Sequence, residues 1–284
     1  MARLRHWQQR TWLPLLLLLF LAGVVILWLA SRGTFFRRDR TWESMQSRQT
    51  WRVALDPSFP PFEQLDEQNH VSGFDVDLAQ AIADGWKLKL EIVPTGYDSL
   101  VDALQSGQVD SVISALPYDP RLTGDVAYSS AYFEAGIMLV VREEQACKTK
   151  DAECILGADD LAGRTVAVEL GSAGDVIARR WQRETPPIKV QRFETPDAAI
   201  AALQTDALIS ALLIDNVSLR IAQGKGAHIA AVGEPIEGNP YVVALPIEAF
   251  ELQQQLEQEL RILHDSGDFA KIENKWFGQG ESQP

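Results

Sequence analysis

Ala54 to Ala81 reads ALDPSFPPFEQLDEQNHVSGFDVDLAQA. A short predicted strand, Arg52 to Leu55, breaks at Asp56-Pro57 and gives way to a Pro-rich loop, Phe59-Pro60-Pro61-Phe62. Proline donates no ladder bond, so Pro57, Pro60 and Pro61 end the strand and stiffen the loop. A polar turn, Asp66 to His70, then leads into Gly73-Phe74-Asp75, where a helix is expected. Asp75 is its expected N-cap, and Val76, Leu78, Ala79, Ile82 and Ala83 supply the apolar face. The loop at the strand's carboxyl end therefore carries an acid, Asp56, and an aromatic, Phe59. In open α/β sheets that edge is where ligands bind. An ordinary βα connection has the same local pattern.

Working outward, the pattern repeats. Leu88 to Val93 is a predicted strand, Tyr97 to Leu104 a helix and Val112 to Leu116 a third strand, the β-α-β-α-β order of a parallel α/β sheet. After another strand from Ile137 and a polar stretch holding Cys147 and Cys154, a second α/β run begins at Thr165. It contains the tight turn Gly171-Ser172-Ala173-Gly174, which leads directly into a helix, and a strand that ends at Asp215. A strand from Tyr241, a long amphipathic helix from Ile247 and a short helix to Phe277 complete the pattern.

A chain of 284 residues with 46% hydrophobic and 23% charged residues has the size and balance for one large or two ordinary globular domains. The net charge of −13 is unevenly spread: the first fifty residues hold eight arginines against two acids, and the rest is strongly acidic. Such a body repels nucleic acid, and its few bases form no cluster. Nucleic acid is not an expected partner.

From Thr11 to Ser31 no residue is charged, which is enough to span a bilayer at roughly 20 residues. A cleaved signal peptide and a retained anchor both fit. The apolar core is longer than the roughly 7–15 residues of a signal peptide, and Trp28-Leu29-Ala30 makes a poor cleavage site. Trp12 and Trp28 suit the two interfaces. The anchor is favoured, with 1–33 as membrane segment and 34–50 as a basic linker.

Asp56-Pro57-x-Phe59-x-Pro61-Phe62 and Gly73-Phe74-Asp75-Val76-Asp77-Leu78 resemble the opening of the family 3 extracellular solute-binding proteins, receptors of polar amino-acid ABC importers. The likeness continues through Tyr97-Asp98-Ser99-Leu100, Gly107-x-x-Asp110, Val166-Ala167-Val168, Gly171-Ser172 and Lys275-Trp276-Phe277-Gly278. It implies an α/β, two-lobed clamshell of the type 2 periplasmic-binding-protein kind, preceded here by one transmembrane helix. Lobe 1 would hold 51–136 plus 243–284 and lobe 2 would hold 137–242. A small amino acid or related carboxylate would bind between them, for delivery to an ABC permease at the outer face of the cytoplasmic membrane.

The resemblance also assigns roles. Arg121 would grip the ligand's carboxylate, although Leu116 stands where the family has a hydroxyl and the segment after Arg121 is one residue longer. A solvated loop arginine is the other reading. Ser114 would offer a hydroxyl or serve as a buried structural serine. The Gly171, Ser172 and Ala173 amides, at a helix N-terminus, would take a carboxylate. Asp215 would bind the ammonium or cap the following helix, with Asp56 as second partner. Phe59 and Tyr97 would flank the side chain, or belong to the core. In an exported domain, Cys147 and Cys154 are expected to pair.

An enzyme would need machinery that the sequence lacks: no G-x-S-x-G, HExxH, Walker A or paired CxxC occurs. No cofactor or metal is expected. A few members of the resembled family are dehydratases of prephenate-like acids, which gives the one enzymatic alternative. A sensing module for a separate signalling partner is the other.

Overall fold

The two β-α-β-α-β runs build two five-stranded sheets. The structure, a computed structural model, describes residues 39–146, 154–183 and 188–278. In the first sheet the strands lie in the order Lys89–Pro94, Thr50–Leu55, Ser111–Val112, Ala244–Pro246, Val126–Tyr128. The first three run parallel, and Ala244–Pro246 is antiparallel to its neighbours. The second sheet repeats this as Lys189–Phe193, Thr165–Glu169, Ile209–Asp215, Ile137–Arg142, Ile229–Glu237, again with three parallel strands followed by antiparallel ones.

Two segments cross between the sheets. Phe133–Glu134 on the outward path pairs with Pro240–Tyr241 on the return, antiparallel. Ile137–Arg142 thus belongs to the second sheet and Ala244–Pro246 to the first. The strand-ending loops of both sheets meet at this crossing.

The first lobe is held by an aromatic cluster. Phe62 meets Phe133 at 5.1 Å, Tyr241 at 5.3 Å and Phe277 at 5.5 Å between ring centroids. One ring from the Pro-rich loop therefore touches both crossing strands and the last helix, Asp268–Phe277. Trp276 fastens that helix further, its Nε1–H donating to Asp77 at 2.7 Å. Edge-to-face pairs of this kind add about 0.5–1.5 kcal/mol each beyond burial.

Three expectations need correction. The segment read as linker contains a helix, Thr41–Arg48, with Met45 fully buried, Trp42 against Trp86 at 5.1 Å and Arg48 paired with Asp110. Trp42 and Met45, three apart, share one helix face, and the surrounding arginines disguise it in the sequence. Asp75 is not an N-cap. Its helix, Phe74–Trp86, starts from Gly73 at φ 150, and no side chain caps it. A Cβ at Gly73 would lie 1.9 Å from the Phe62 carbonyl oxygen, so only glycine lets the loop turn into the helix here. The predicted strand Val112 to Leu116 keeps its ladder only over Ser111–Val112. Beyond it Ala115 turns to φ 42, where the buried Asp75 carboxylate takes its amide at 2.6 Å.

The apolar run from Thr11 to Ser31 lies outside the described residues, as does Cys147 of the expected bridge; Cys154 is buried and is not a free thiol. Among the described residues no helix is long and apolar enough to cross a membrane.

Candidate functional site

A cavity of about 640 Å³ opens at the crossing, a size that suits a small ligand. Phe59 and Pro60 wall it from the first lobe, Ala173 and Asp215 from the second, and Gly136, Asn239 and Tyr241 from the crossing segments. Its charged lining side chains, Asp215 and Glu237, are both acids.

Asp215 ends Ile209–Asp215 and caps Asn216–Gly224, its Oδ1 accepting the Ser218 amide at 2.8 Å. It is half-buried, and its second oxygen remains for a ligand. Capping and binding, alternatives on the sequence, are compatible in the structure.

The helix Ala173–Trp181 starts at the same cavity. Two of the three predicted amide positions are used internally. Ser172 is the N-cap, its hydroxyl accepting the Asp175 amide at 3.1 Å, and the Gly171 amide donates to Asp175 Oδ2 at 3.1 Å. Gly171 sits at φ 82, which suits glycine. The Ala173 and Gly174 amides are left as the first-turn donors that no helix satisfies internally. Gly174 has a packing reason as well: a Cβ there would come within 2.7 Å of the Leu213 carbonyl oxygen, so its absence lets the helix lie close on the strand.

On the first lobe, Phe59 is 45% exposed and stacked on Phe62 at 5.8 Å, so it presents a face to the cavity rather than joining the core. Tyr97 is 49% exposed, and its amide donates to Asp56 Oδ2 at 2.9 Å. Partial burial, then Asp98 and Glu63, push its phenol above the usual range. Ser114 is not at the surface of the cleft. It is buried, accepts the Asp56 amide at 2.9 Å and donates to Glu63 Oε1 at 2.7 Å.

Arg121 does not join this group. Its side chain is 87% exposed, and its guanidinium turns back onto Asp119, with Nη2 at 2.7 Å from Oδ2. Asp119 also takes the Arg121 amide at 2.9 Å and so starts the turn Pro120–Leu122. That local ring holds the guanidinium away from the cavity.

Sequence reading missed Tyr241 and the acids beneath the rim. Tyr241 is buried beside the cavity, and burial followed by Asp215 raises its phenol well above the usual range. Glu63 and Asp75 are 1% and 0% exposed. Glu63 directly follows the apolar Phe59-Pro60-Pro61-Phe62, with no base nearby, and that is the signal that could have found it.

Comparison with known proteins agrees with this architecture. The arginine-binding extracellular protein ArtP of Bacillus subtilis (strain 168) is 27% identical over 226 residues, 79% of this chain and 85% of that protein. The solved ancestral cationic amino acid solute-binding protein AncCDT-1 superposes with a TM-score of 0.58 at 29% identity, covering 84% of this chain and 99% of its own. An ancestral cyclohexadienyl dehydratase shares the fold, with a TM-score of 0.68 at 23% identity over 84% of this chain and 96% of its own. The family model for bacterial extracellular solute-binding proteins, family 3, matches residues 51–279, nearly all of the folded body. The two lobes and the crossing strands are those of an extracytoplasmic solute receptor, and the chain belongs to the family 3 extracellular solute-binding proteins.

Proposed function

We infer that the protein captures an amino acid between its lobes and hands it to an ABC importer. The carrying observation is the cavity at the crossing, walled by both lobes, whose charged lining side chains are two acids, Asp215 and the Arg180-paired Glu237. A free amino acid presents one ammonium and one carboxylate. Asp215 takes the ammonium with the oxygen not used in capping, and Asp56, on the opposite rim, is the second acid. The Ala173 and Gly174 amides take the carboxylate, favoured by the helix dipole. Phe59 and Tyr97 flank the side chain. Ligand contacts from both lobes favour closure, which excludes water and strengthens each charge-assisted bond.

The acid-only lining suits a side chain that brings a further positive charge. The matched relative described as arginine-binding and the ancestral cationic amino-acid receptor support that choice. The apolar run at the N-terminus holds the receptor at the outer face of the membrane, beside its permease. N-terminal sequencing of the mature protein checks the anchor, since a start near Ser31 or Arg32 refutes it.

Titration calorimetry with L-arginine, L-histidine, L-glutamine and their deaminated acids tests the binding reading. Saturable binding of amino acids, strongest for L-arginine, is expected. Preference for the deaminated acids would overturn the assignment of Asp215 and Asp56.

A further inference from the structure

Beneath the rim of the first lobe lie two carboxyl groups that binding does not use. Glu63 Oε1 accepts the Ser114 hydroxyl at 2.7 Å. Asp75 Oδ2 accepts the Ala115 amide at 2.6 Å and the Tyr132 hydroxyl at 3.0 Å. Their other oxygens, Glu63 Oε2 and Asp75 Oδ1, are buried and receive no donor from any amide, hydroxyl or base. The adjacent residues Ser114 and Ala115 hold the two carboxyl groups side by side, with these bare oxygens buried between them. Ionised carboxylates only accept, so a bond between two of them requires a proton.

We propose that Glu63 and Asp75 share one proton through neutral pH, and that this proton positions the first lobe's rim by holding Ser114 and, through it, the Asp56 amide. The surroundings dictate the proton. The groups that face the pair are Asp56 after the first strand, Tyr97 on the next turn, and Tyr132 and Tyr241 on the two crossing segments. None is a base. Burial pushes both acids upward, and the charge of Asp75 pushes Glu63 further. Two donors favour the charge on Asp75, whereas Glu63 has one, so Glu63 carries the proton and Asp75 the charge. With its proton committed to Glu63, the Ser114 hydroxyl is oriented to accept the Asp56 amide at 2.9 Å. Asp56 in turn holds the Tyr97 amide at 2.9 Å. Tyr132 ties the same pair to the crossing segment. In alkali the proton leaves to solvent, two buried charges face each other, and the rim loses its support.

The functional part of this proposal rests on amino-acid binding in the cavity; the proton itself does not. Urea unfolding of the full chain between pH 6 and 9 therefore tests the proton without a ligand. In Glu63→Gln the amide NH₂ replaces the O–H and its oxygen still accepts Ser114, but the proton on residue 63 is gone and only Asp75 is left to titrate. A proton retained by the folded state and lost on unfolding makes the wild-type folding constant fall about tenfold per pH unit relative to Glu63→Gln. Parallel pH profiles for the two proteins would overturn the shared proton. Amide exchange at pH 6.5 tests the positioning. Ser114→Ala should lower protection of the Asp56 amide tenfold or more and leave the pH slope of unfolding intact, whereas Glu63→Gln should keep that protection. Unchanged Asp56 protection in Ser114→Ala would overturn the link from the pair to the rim. L-Arginine calorimetry adds the functional arm. Weakened binding in Ser114→Ala with wild-type binding in Glu63→Gln is expected. A wild type that binds no L-arginine would count against the ligand reading alone, and equal affinities in all three proteins against the coupling to the site.

Discussion

Asp75 and Asp175 occupy the same place in the two lobes. Each lies in the first turn of the helix that follows the middle one of its lobe's three parallel strands, and each is completely buried. Their surroundings differ. Asp175 is paired with Arg179 and Arg192 and accepts the Gly171 amide, and these partners, Arg179 foremost, hold it down to about 2. Asp75 has no base, and burial beside Glu63 drives it up to about 7. An acid raised in the folded state contributes stability that is complete below its unfolded value and lost as pH rises through the folded one. A depressed acid contributes above its unfolded value and loses it as pH falls. The first lobe is thus weakened by alkali and the second by acid. A buried acid in a helix's first turn does not by itself fix the electrostatics; the partners that the rest of the fold brings to it do.

The glycines that lead into the two helices give the largest expected contrast. Gly73 combines φ 150 with the 1.9 Å clash, so Gly73→Ala must displace backbone and should cost more than about 4 kcal/mol, if it folds at all. Gly171 has φ 82 but open space around its missing Cβ, so Gly171→Ala should cost only about 1–2 kcal/mol. Urea unfolding of both variants measures the difference. Equal costs would mean that the two helix entries are alike after all.

Asp175→Asn comes next. It removes the charge that both arginines and the Gly171 amide address, for a loss of about 2 kcal/mol at neutral pH. The arginines are half-exposed and can return to water, which keeps the cost moderate. Below about pH 4 the loss should shrink, because protonation brings the wild type to the same state. A loss that stays constant down to pH 2 would show that packing, not charge, is what Asp175 provides.

Much of the architecture is legible in the residues. Period-two apolar runs mark the strands, and glycines and prolines mark their ends. The crossing at the cavity follows from an early and a late strand serving the other lobe. What the chain conceals is non-local. Asp75 looks like a cap because its partners, Glu63, Ala115 and Tyr132, lie 12, 40 and 57 residues away, and local pattern does not report them. Ser114 bonds both the Asp56 amide and Glu63, so its hydroxyl can be read as a ligand contact or as a structural link with equal ease. The helix Thr41–Arg48 escapes notice because Arg37, Arg38 and Arg40 just before it dominate the composition of a segment whose Met45 is in the core. The capping role of Asp215 is legible locally, and capping uses only one of its oxygens.

That free oxygen sets the next effect. Asp215→Asn keeps an acceptor for the Ser218 amide and removes the charge offered to an ammonium. Amino-acid affinity should fall about tenfold, or 1.4 kcal/mol, with stability nearly unchanged. The matching deaminated acids should bind equally to both proteins. Calorimetry separates this from a capping role, which would weaken both ligand types alike or neither.

The smallest expected effect falls on Arg121, the cation that the sequence offered to the first lobe. With bases around the second lobe's buried acid and none at the first lobe's rim, removing Arg121 leaves the site untouched. Its guanidinium is satisfied by Asp119 within the same turn, and that neighbour raises its pKa above the ordinary arginine value. Exposed pairs of this kind are screened by water and contribute little. Arg121→Ala should therefore change L-arginine affinity by no more than about threefold. Closure could in principle swing the side chain inward, but it would first have to release a carboxylate held through both the guanidinium and the backbone amide. Asp119→Ala isolates that possibility, because freeing the guanidinium should then alter affinity if it can reach the ligand. A roughly hundredfold loss in Arg121→Ala would place a cation on the first lobe's rim, and the contrast between the lobes would then lie in the buried acids alone.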